Sequence, residues 1–582
     1  MRLINTTTLE LREFIGQSIP PYAILSHTWG DEEVTFQDWQ GVLQGSIAKA
    51  GLAKIRRACA QALEDKLEYL WVDTNCIDKT SSAELSEAIN SMFAWYRDAE
   101  VCYVYLVDVP DGVVRRVHES GEWVADDVFL RSRWFTRGWT LQELLAPAAV
   151  VFFSTDWKRL GTKSELKAPL SQTTGIPEVY LIGSGSVWRA SIARRMSWMS
   201  KRVTTRTEDM AYSMLGIFDI HMPLIYGEGQ RAFLRLQEEI LRSTDDQSVL
   251  CWEWNKSHVD DNWASVLAPC PAAFKDMGEY IPTEWDGETE AVPYSISNGG
   301  MSIRLPLVPT VSPDVLLAVL EVRPAWDDRE DSRLPCTHQL CIPLKRGRVY
   351  RRLPFPNRPF LLDKAMVAQQ TSIRIMARER RPAVRRGDIN TSWEWPELYG
   401  KGATANFLIV FAAEAPEMDV LYVDSTLKAP HTNGVLGLSC CHGKVDAVAV
   451  LVLRFKDGHE SLLLLAARRN AGTDNERAPS SFCQVLPMDR RSRIERVVAD
   501  FKSKSMQANQ HVDFSTDGVV TVALGNTLSK SYYSDKAGVR VAQVVYKDRN
   551  RCEILREKAE FPSSFVPVSE PTWMPYSRSG WR

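Results

Sequence analysis

Polar side chains follow two strand-like apolar runs near the start of the chain, at the point where each run ends. The run at residues 22–26 leads into Ser26, His27 and Trp29, and the run at residues 69–73 leads into Asp73, Asn75, Cys76 and Asp78. Ligands of parallel α/β sheets bind outside the carboxyl ends of the strands. We therefore expect these side chains to meet at one edge of a sheet and to contact a substrate there.

A third polar element is a short predicted helix over residues 139–145. Trp139 and Glu143 are four residues apart, so their side chains share one face of that helix. Trp139 can form a wall of the site, and Glu143 can supply its negative charge. Glu143 is therefore the candidate for the catalytic carboxylate.

Glu143 and Trp139 also have plain structural interpretations. Glu143 can be an exposed helix glutamate or the ion-pair partner of Arg137 or Arg133. Trp139 can be a core aromatic, since large aromatic side chains are commonly buried.

The residues at the strand ends have alternatives too. His27 can be a polar cap on its strand, and Asp73 and Asp78 can fix turns through Asx-type hydrogen bonds. Cys76 can be a nucleophile with His27 as its base, but nothing in the sequence indicates a lowered thiol pKa.

The elements that must position these residues alternate between strand and helix. Strand patterns occupy residues 22–26, 69–73, 101–107 and 149–153, and helix patterns occupy residues 52–67, 82–96 and 139–145. This alternation predicts a parallel sheet with flanking helices. We assign residues 1–157 to this α/β domain.

Residues 158–262 are predicted to form a helical extension. Thr162 and Glu165 have the spacing of a capping box at the start of a helix. Arg194-Arg195 and Lys201-Arg202 form a small basic patch, which we interpret as solvated helix surface.

Residues 263–582 are predicted to be β-rich, antiparallel and sandwich-like. Short apolar runs recur at residues 301–307, 315–322, 340–344, 372–376, 407–412, 448–455, 461–467, 519–524 and 539–545. Asn298-Gly299 and Asp457-Gly458 are hairpin signals between such runs. Neither Cys336, His338 and Cys341 nor the 440–442 cluster has a full set of metal ligands, so we expect no metal site.

Composition excludes several classes of protein. The chain has 582 residues, 45% of them hydrophobic, and a formal net charge of -3, so no overall basic field favours nucleic acid. No apolar run has the length of a membrane span, and the N-terminus lacks a signal-peptide pattern. Eleven scattered cysteines without CxxC pairs are typical of reduced thiols in a cytoplasmic protein.

Several segments together carry a family resemblance. Residues 22–30, 69–79, 86–92, 95–98 and 137–147 resemble, in order and approximate spacing, the signature of the fungal heterokaryon-incompatibility (HET) domain. Residues 206–216 and 225–229 resemble the helical extension that commonly follows this domain. The resemblance implies a role in fungal non-self recognition and regulated cell death.

The HET domain resembles, more distantly, the Toll/interleukin-receptor (TIR) domain, which implies a TIR- or flavodoxin-like sheet. In TIR enzymes a Trp-x-x-x-Glu pair carries the glutamate that cleaves the nicotinamide–ribose bond of NAD, and the matching pair here is Trp139 and Glu143. A carboxylate can stabilise the oxocarbenium-like state of such a cleavage. The resemblance thus implies an NAD-like nucleotide as substrate, no bound cofactor, and self-association of the active form.

Two hypotheses follow. In the first, the HET domain hydrolyses NAD-like nucleotides through Glu143, and a protein trigger acts through the β-rich region. In the second, the domain is a non-enzymatic adaptor that causes cell death by recruiting partners. The convergence of polar residues at the strand ends favours the enzyme, because packing alone does not require it.

Overall fold

Two fully buried strands form the centre of the N-terminal sheet. Ala23–His27 and Tyr69–Val72 are buried at every position, as expected for strands covered on both faces. Because both faces are covered, apolar residues in these strands do not alternate with polar ones, and polar residues come only at or after the carboxyl end of each strand.

The computed structural model describes residues 1–16, 19–43, 49–117, 122–183, 185–254, 263, 265–283, 294–297, 300–310, 314–325, 338–353, 360–363, 370–375, 404–412, 416–423, 435–439, 446–468, 480–488, 494–507, 514–525 and 539–553. The chain divides into two units, Met1–Asn298 and Gly299–Arg582.

The strands of the first unit are β1 (Arg2–Asn5), β2 (Leu11–Glu13), β3 (Ala23–His27), β4 (Tyr69–Val72), β5 (Val101–Tyr105), β6 (Val114–Arg116), β7 (Trp123–Ala125), β8 (Val150–Phe153), β9 (Arg159–Thr162), β10 (Tyr280–Pro282) and β11 (Ser295–Ser297). Its main sheet has the order β2-β1-β4-β3-β5-β8-β9. The four central strands are parallel, and they confirm the four predicted strands.

The sheet is mixed rather than purely parallel. Strands β1 and β2 extend one edge and β9 extends the other, all antiparallel to their neighbours. The sequence analysis predicted none of these three. Each has only three or four residues and mixes polar with apolar types, so no apolar run marks it, and each is defined by pairing with a neighbouring strand.

The helices of the first unit are α1 (Phe36–Leu43), α2 (Gly51–Glu64), α3 (Ser82–Asp98), α4 (Asp127–Leu130), α5 (Thr140–Leu145), α6 (Lys167–Thr174), α7 (Glu178–Leu181), α8 (Ile192–Met199), α9 (Asp209–Tyr212), α10 (Leu215–Phe218) and α11 (Arg231–Ser243), with 3-10 turns at Arg133–Thr136, Val187–Arg189, Gln247–Leu250 and Pro271–Phe274. The Ser81 side chain caps α3 by accepting from the Glu84 amide at 3.3 Å. The predicted helices at residues 52–67, 82–96 and 139–145 correspond to α2, α3 and α5.

Strand β9 corrects the expectation that residues from 158 onward are helical. The capping box exists nonetheless: the Thr162 amide donates to Glu165 Oε2 at 2.7 Å, and the Glu165 amide donates to Thr162 Oγ1 at 3.2 Å. It closes a turn between β9 and α6. The predicted boundaries after residues 157 and 262 both lie inside the first unit and stay predictions.

The second unit is β-rich. Its strands are β12 (Gly300–Pro309), β13 (Val315–Val319), β14 (Val322–Pro324), β15 (His338–Lys345), β16 (Arg351–Arg352), β17 (Phe360–Asp363), β18 (Gln370–Ile375), β19 (Thr404–Phe411), β20 (Glu417–Val423), β21 (Val435–Ser439), β22 (Asp446–Arg454), β23 (Glu460–Arg468), β24 (Ser480–Pro487), β25 (Phe514–Thr516), β26 (Val520–Gly525) and β27 (Val539–Tyr546). The unit also contains the helix α12 (Ile494–Gln507). Each of the nine predicted apolar runs overlaps one or two of these strands.

Two sheets of this unit share one apolar core. Their orders are β21-β19-β27-β26-β25 and β20-β22-β23-β24, antiparallel except for the parallel pair β19 and β27. Alternate residues such as Phe407 and Ile409 from one sheet and Leu451 and Leu463 from the other lie in a single buried cluster. The sheets therefore pack face to face, as in a sandwich.

The predicted hairpin at Asp457-Gly458 joins β22 to β23, where Arg454 faces Glu460. Gly458 has a φ of 86°, which favours glycine. The Asn298-Gly299 signal, Cys336 and residues 440–442 lie outside the described residues. Within the described part, no cluster of ligand side chains can hold a metal ion, and no helix has the length and hydropathy of a membrane span.

Candidate active site

Ser26 and Glu143 are in direct contact. Ser26 lies near the carboxyl end of β3, and its Oγ donates a hydrogen bond to Glu143 Oε2 on α5. Trp134 Nε1 donates to the same Oγ at 2.8 Å. The hydroxyl therefore accepts from an indole and donates to a carboxyl group, using both of its hydrogen-bonding roles.

The Glu143 carboxyl group is almost completely buried, with the residue only 7% exposed. Burial raises its pKa to about 8, and the charge of Asp73 acts in the same direction. The Ser26 hydrogen bond and the charges of Arg137 and Arg202 oppose that rise. Glu143 is therefore mainly protonated at neutral pH in this conformation.

The amino end of α5 is held by a buried cation. Arg202 Nη1 donates to the Arg137 carbonyl and to Thr140 Oγ1, both at 2.8 Å. Gly138 permits this close packing, because a Cβ there would lie 2.5 Å from Thr204 Cγ2. Burial lowers the pKa of Arg202 to about 9, although the charge of Glu143 opposes this.

The carboxyl end of α5 is held by a second buried cation. Lys163, in the capping-box turn, donates from Nζ to the Leu144 carbonyl at 3.1 Å and to the Pro147 carbonyl at 2.5 Å. Burial lowers its pKa to about 8. All six residues of α5 are buried, and both ends of the helix are hydrogen-bonded to a buried cation. The position of Glu143 is therefore fixed.

The expectation that the basic pairs are solvated surface is wrong for Arg195 and Arg202, which are both buried. Arg195 Nη1 donates to the Ile217 carbonyl at 3.0 Å. Buried guanidinium groups need such carbonyl acceptors to offset lost hydration, and sequence spacing does not reveal them.

His27 is buried between two carboxylates. Its Nε2 lies 3.7 Å from Glu33 Oε2 and 3.9 Å from Asp73 Oδ1. Neither ring nitrogen makes a hydrogen bond to the described residues. Burial lowers the pKa of His27 to about 4, so the ring is neutral and its hydrogen-bonding groups are unused.

Trp29, Asp73 and Lys79 form a surface group above the strand ends. Trp29 Nε1 donates to Asp73 Oδ2 at 3.0 Å. Lys79 Nζ lies 3.6 Å from the centre of the Trp29 ring and 3.6 Å from Asp73 Oδ2. Burial opposes ionisation of Asp73, but the charge of Lys79 and the Trp29 hydrogen bond lower its pKa overall.

Asn75, Cys76 and Asp78 have different surroundings. Asn75 is fully buried, and its amide atoms make no hydrogen bond to the described residues. Burial raises the pKa of Cys76 to about 12, which opposes the nucleophile interpretation. Asp78 Oδ1 accepts from the Thr80 amide at 3.0 Å and from Gln37 Nε2 at 2.7 Å, the turn arrangement considered as its alternative.

Trp139 contacts another part of the unit. It hydrogen-bonds to Asp209, whose carboxyl group also accepts from Tyr226 at 3.0 Å. The tryptophan that touches the Ser26–Glu143 pair is Trp134, which the sequence analysis did not identify. Trp134 precedes α5 by only six residues, and that proximity was the available signal.

The charged residues around His27 and Asp73 were not predicted from the sequence. Lys54 forms an ion pair with Glu33, and Lys79 pairs with Asp73. Lys79 directly follows the Asp78 motif, but its position over Trp29 depends on how two loops meet.

Comparison with known proteins supports a family resemblance for part of the first unit. Residues 22–112 match the family described as "Heterokaryon incompatibility protein (HET)". This part of the first unit is similar to the HET domain. This confirms the resemblance stated from the sequence. The matched range contains Ser26, His27, Trp29 and the four candidate residues after β4, while Trp139 and Glu143 lie beyond it.

Other similarities extend the comparison. A 226-residue stretch of this chain is 52% identical to the vegetative incompatibility protein HET-E-1 of Podospora anserina, covering 38% of this chain and 16% of that relative. Residues 231–277 match "Domain of unknown function (DUF8212)". The lipid-binding protein Nakanori aligns at 15% identity and a TM-score of 0.18 over 26% of this chain and 73% of its own, which supports no assignment.

Proposed function

We propose that this HET domain cleaves NAD-like dinucleotides at the nicotinamide–ribose bond, with Glu143 as the catalytic carboxylate. The observation that carries the proposal is the placement of Glu143 against Ser26 at the end of β3. Asp73 lies close enough to raise the pKa of Glu143. Three predicted site residues from distant segments therefore share one edge of the sheet, where α/β proteins bind ligands.

The proposed reaction breaks the bond between the ribose C1′ and the pyridinium nitrogen. The bonding electron pair goes to that nitrogen, so nicotinamide leaves as a neutral molecule. Ionised Glu143 stabilises the oxocarbenium-like ribose. Water then adds to C1′ and releases one proton to the solvent. Since the leaving group needs no protonation, one carboxylate is sufficient.

This chemistry requires Glu143 to leave its buried, protonated state. Exposure to solvent removes the cause of the raised pKa, because burial is the largest contribution to it. We propose that self-association opens this edge and completes the site between neighbouring copies. The isolated chain then holds the enzyme in a resting form, which suits a protein whose activity is toxic.

The biological role proposed is fungal non-self recognition leading to cell death. It rests on the HET match and on the similarity to a vegetative incompatibility protein. In this proposal the β-rich unit senses a protein trigger, and the HET domain depletes the nucleotide in the cytoplasm.

The test is nicotinamide release from NAD by the purified full chain at high concentration with a crowding agent. Glu143→Ala should abolish release, whereas Glu87→Ala, an exposed glutamate on α3, should not change it. Nicotinamide release that continues unchanged in Glu143→Ala would remove Glu143 from the mechanism.

The burial of Glu143 favours the second candidate, a non-enzymatic adaptor, because no substrate reaches a carboxyl group that is 7% exposed without rearrangement. Expression in fungal cells separates the two. If Glu143→Ala remains as toxic as the wild type while its folded stability is unchanged, the adaptor hypothesis is correct.

A further inference from the structure

The Trp29–Asp73–Lys79 group has the composition of a site for an aromatic cation. One face of the Trp29 ring carries a positive charge, Lys79 Nζ, at 3.6 Å from its centre. The Asp73 carboxylate lies 3.6 Å from the same ammonium. A ring face and a carboxylate thus act on one cation, and both attract it electrostatically.

The group is accessible from solvent. Trp29 is 44% exposed, and the side chains of Lys79 and Asp73 are 32% and 23% exposed. Lysine side chains are flexible, so Lys79 can move away without any change in the backbone. Trp29 is held by its hydrogen bond to Asp73, which keeps the ring in place when Lys79 leaves.

The unused polar groups beneath point to a ligand. His27 Nε2 lies 3.9 Å from Asp73 Oδ1, its side chain is 1% exposed, and neither ring nitrogen is hydrogen-bonded within the described residues. Glu33 Oε2 is buried and similarly unsatisfied. Buried polar atoms are rarely left without partners, so a neighbouring ligand amide or hydroxyl would satisfy them.

We propose that Trp29 and Asp73 bind a pyridinium ring in the position that the Lys79 ammonium group occupies when no ligand is bound. This inference rests on the proposed function, because the pyridinium is the nicotinamide of an NAD-like dinucleotide. The ring stacks on Trp29, and Asp73 balances its charge. Binding requires the displacement of Lys79 from the indole.

If the Lys79 ammonium group occupies the cation position, removing it should strengthen ligand binding. If Lys79 competes with the cation, Lys79→Met should tighten binding of N1-methylnicotinamide, by about threefold. If Lys79 instead anchors the dinucleotide phosphates, the same variant should weaken binding of NAD and leave N1-methylnicotinamide unaffected. Methionine keeps the apolar stem, so packing against Trp29 is retained.

The experiment is ligand-observed NMR titration of N1-methylnicotinamide into the full chain. Trp29→Leu should weaken binding about threefold or more, whereas Trp188→Leu, another half-exposed tryptophan, should have no effect. Neutral nicotinamide should bind more weakly than the cation. Equal binding of nicotinamide and its cation, unchanged binding in Trp29→Leu, or weakened or unchanged cation binding in a folded Lys79→Met variant would each overturn the proposal.

The outcome is separable from that of the proposed function. Glu143→Ala should retain the binding of N1-methylnicotinamide, because Glu143 is not part of this surface group. If the cation binds but no variant releases nicotinamide, the cation site is supported and the proposed NAD cleavage is rejected. If nicotinamide release depends on Glu143 but not on Trp29, the proposed NAD cleavage is supported and the cation site is rejected.

Discussion

Ser26 donates a hydrogen bond to Glu143 across 117 positions of the sequence. This contact joins the end of β3 to α5. Both groups are buried, so each depends on the other for its hydrogen bonding.

Replacing Ser26 by alanine should destabilise the protein. The change leaves the Trp134 N–H and the Glu143 carboxyl group without their shared partner, which should cost about 1–3 kcal/mol. Urea unfolding measures this difference. Ser82→Ala, at an exposed position of α3, should cost much less, and equal losses for the two variants would show that the buried contact contributes nothing.

Glu143 should make folding stability depend on pH. Its pKa is about 8 in the folded chain against an ordinary value of 4.5. Between these values only the folded state carries the proton, so stability falls as pH rises. Relative to Glu143→Gln, the wild type should lose on the order of 3 kcal/mol as the pH rises from about 5 to about 8.

Chemical unfolding at several pH values measures this linkage. Glu87→Gln, at an exposed position of α3, is the control for the loss of a glutamate outside the buried site. Parallel stability curves for the wild type and Glu143→Gln would mean that Glu143 is ionised in the folded chain.

His27 should produce the opposite trend at acid pH. Its pKa is about 4 in the folded chain against 6.5 ordinarily, so between these values the unfolded state binds the additional proton. The associated stability is present above about pH 6.5 and is lost as the pH falls through about 4. A histidine-labelled NMR titration should show no protonation of His27 at pH 6, and protonation there would contradict the effect of burial.

Lys163 should stabilise the helix that carries Glu143. Lys163→Met leaves the Leu144 and Pro147 carbonyls without their donor, and we expect a loss of about 1–3 kcal/mol in thermal or urea unfolding. Lys167→Met removes only a half-exposed pair with Glu178 and should cost less than about 1 kcal/mol. A reversed order would show that the exposed pair matters more.

The two acids after β4 should behave differently. Asp78→Ala should lower stability only slightly, because its carboxylate holds the Thr80 turn at an exposed position, and it should leave the binding of N1-methylnicotinamide unchanged. Asp73→Asn should weaken that binding several-fold. A similar loss of affinity in both variants, measured by the same NMR titration, would place Asp78 in the ligand site.

The sequence by itself determined the central strands, the main helices and the family. Apolar runs such as Tyr69–Val72 are buried on both faces, so composition alone identifies them. The strand-end rule also predicted that Ser26 and Asp73 approach Glu143. The edge strands β1, β2 and β9 were not predictable, because their residues form no continuous apolar run and they acquire their conformation from pairing with a neighbour.

Only the tertiary structure decided which side chains complete the site. Trp134 rather than Trp139 reaches Ser26, Arg202 is buried beside α5, and Lys79 lies over Trp29. Each of these contacts joins segments from different parts of the fold, and helix spacing or charge pattern describes only one segment at a time. Burial, which sets the protonation of Glu143 and His27, is likewise a property of the packed chain.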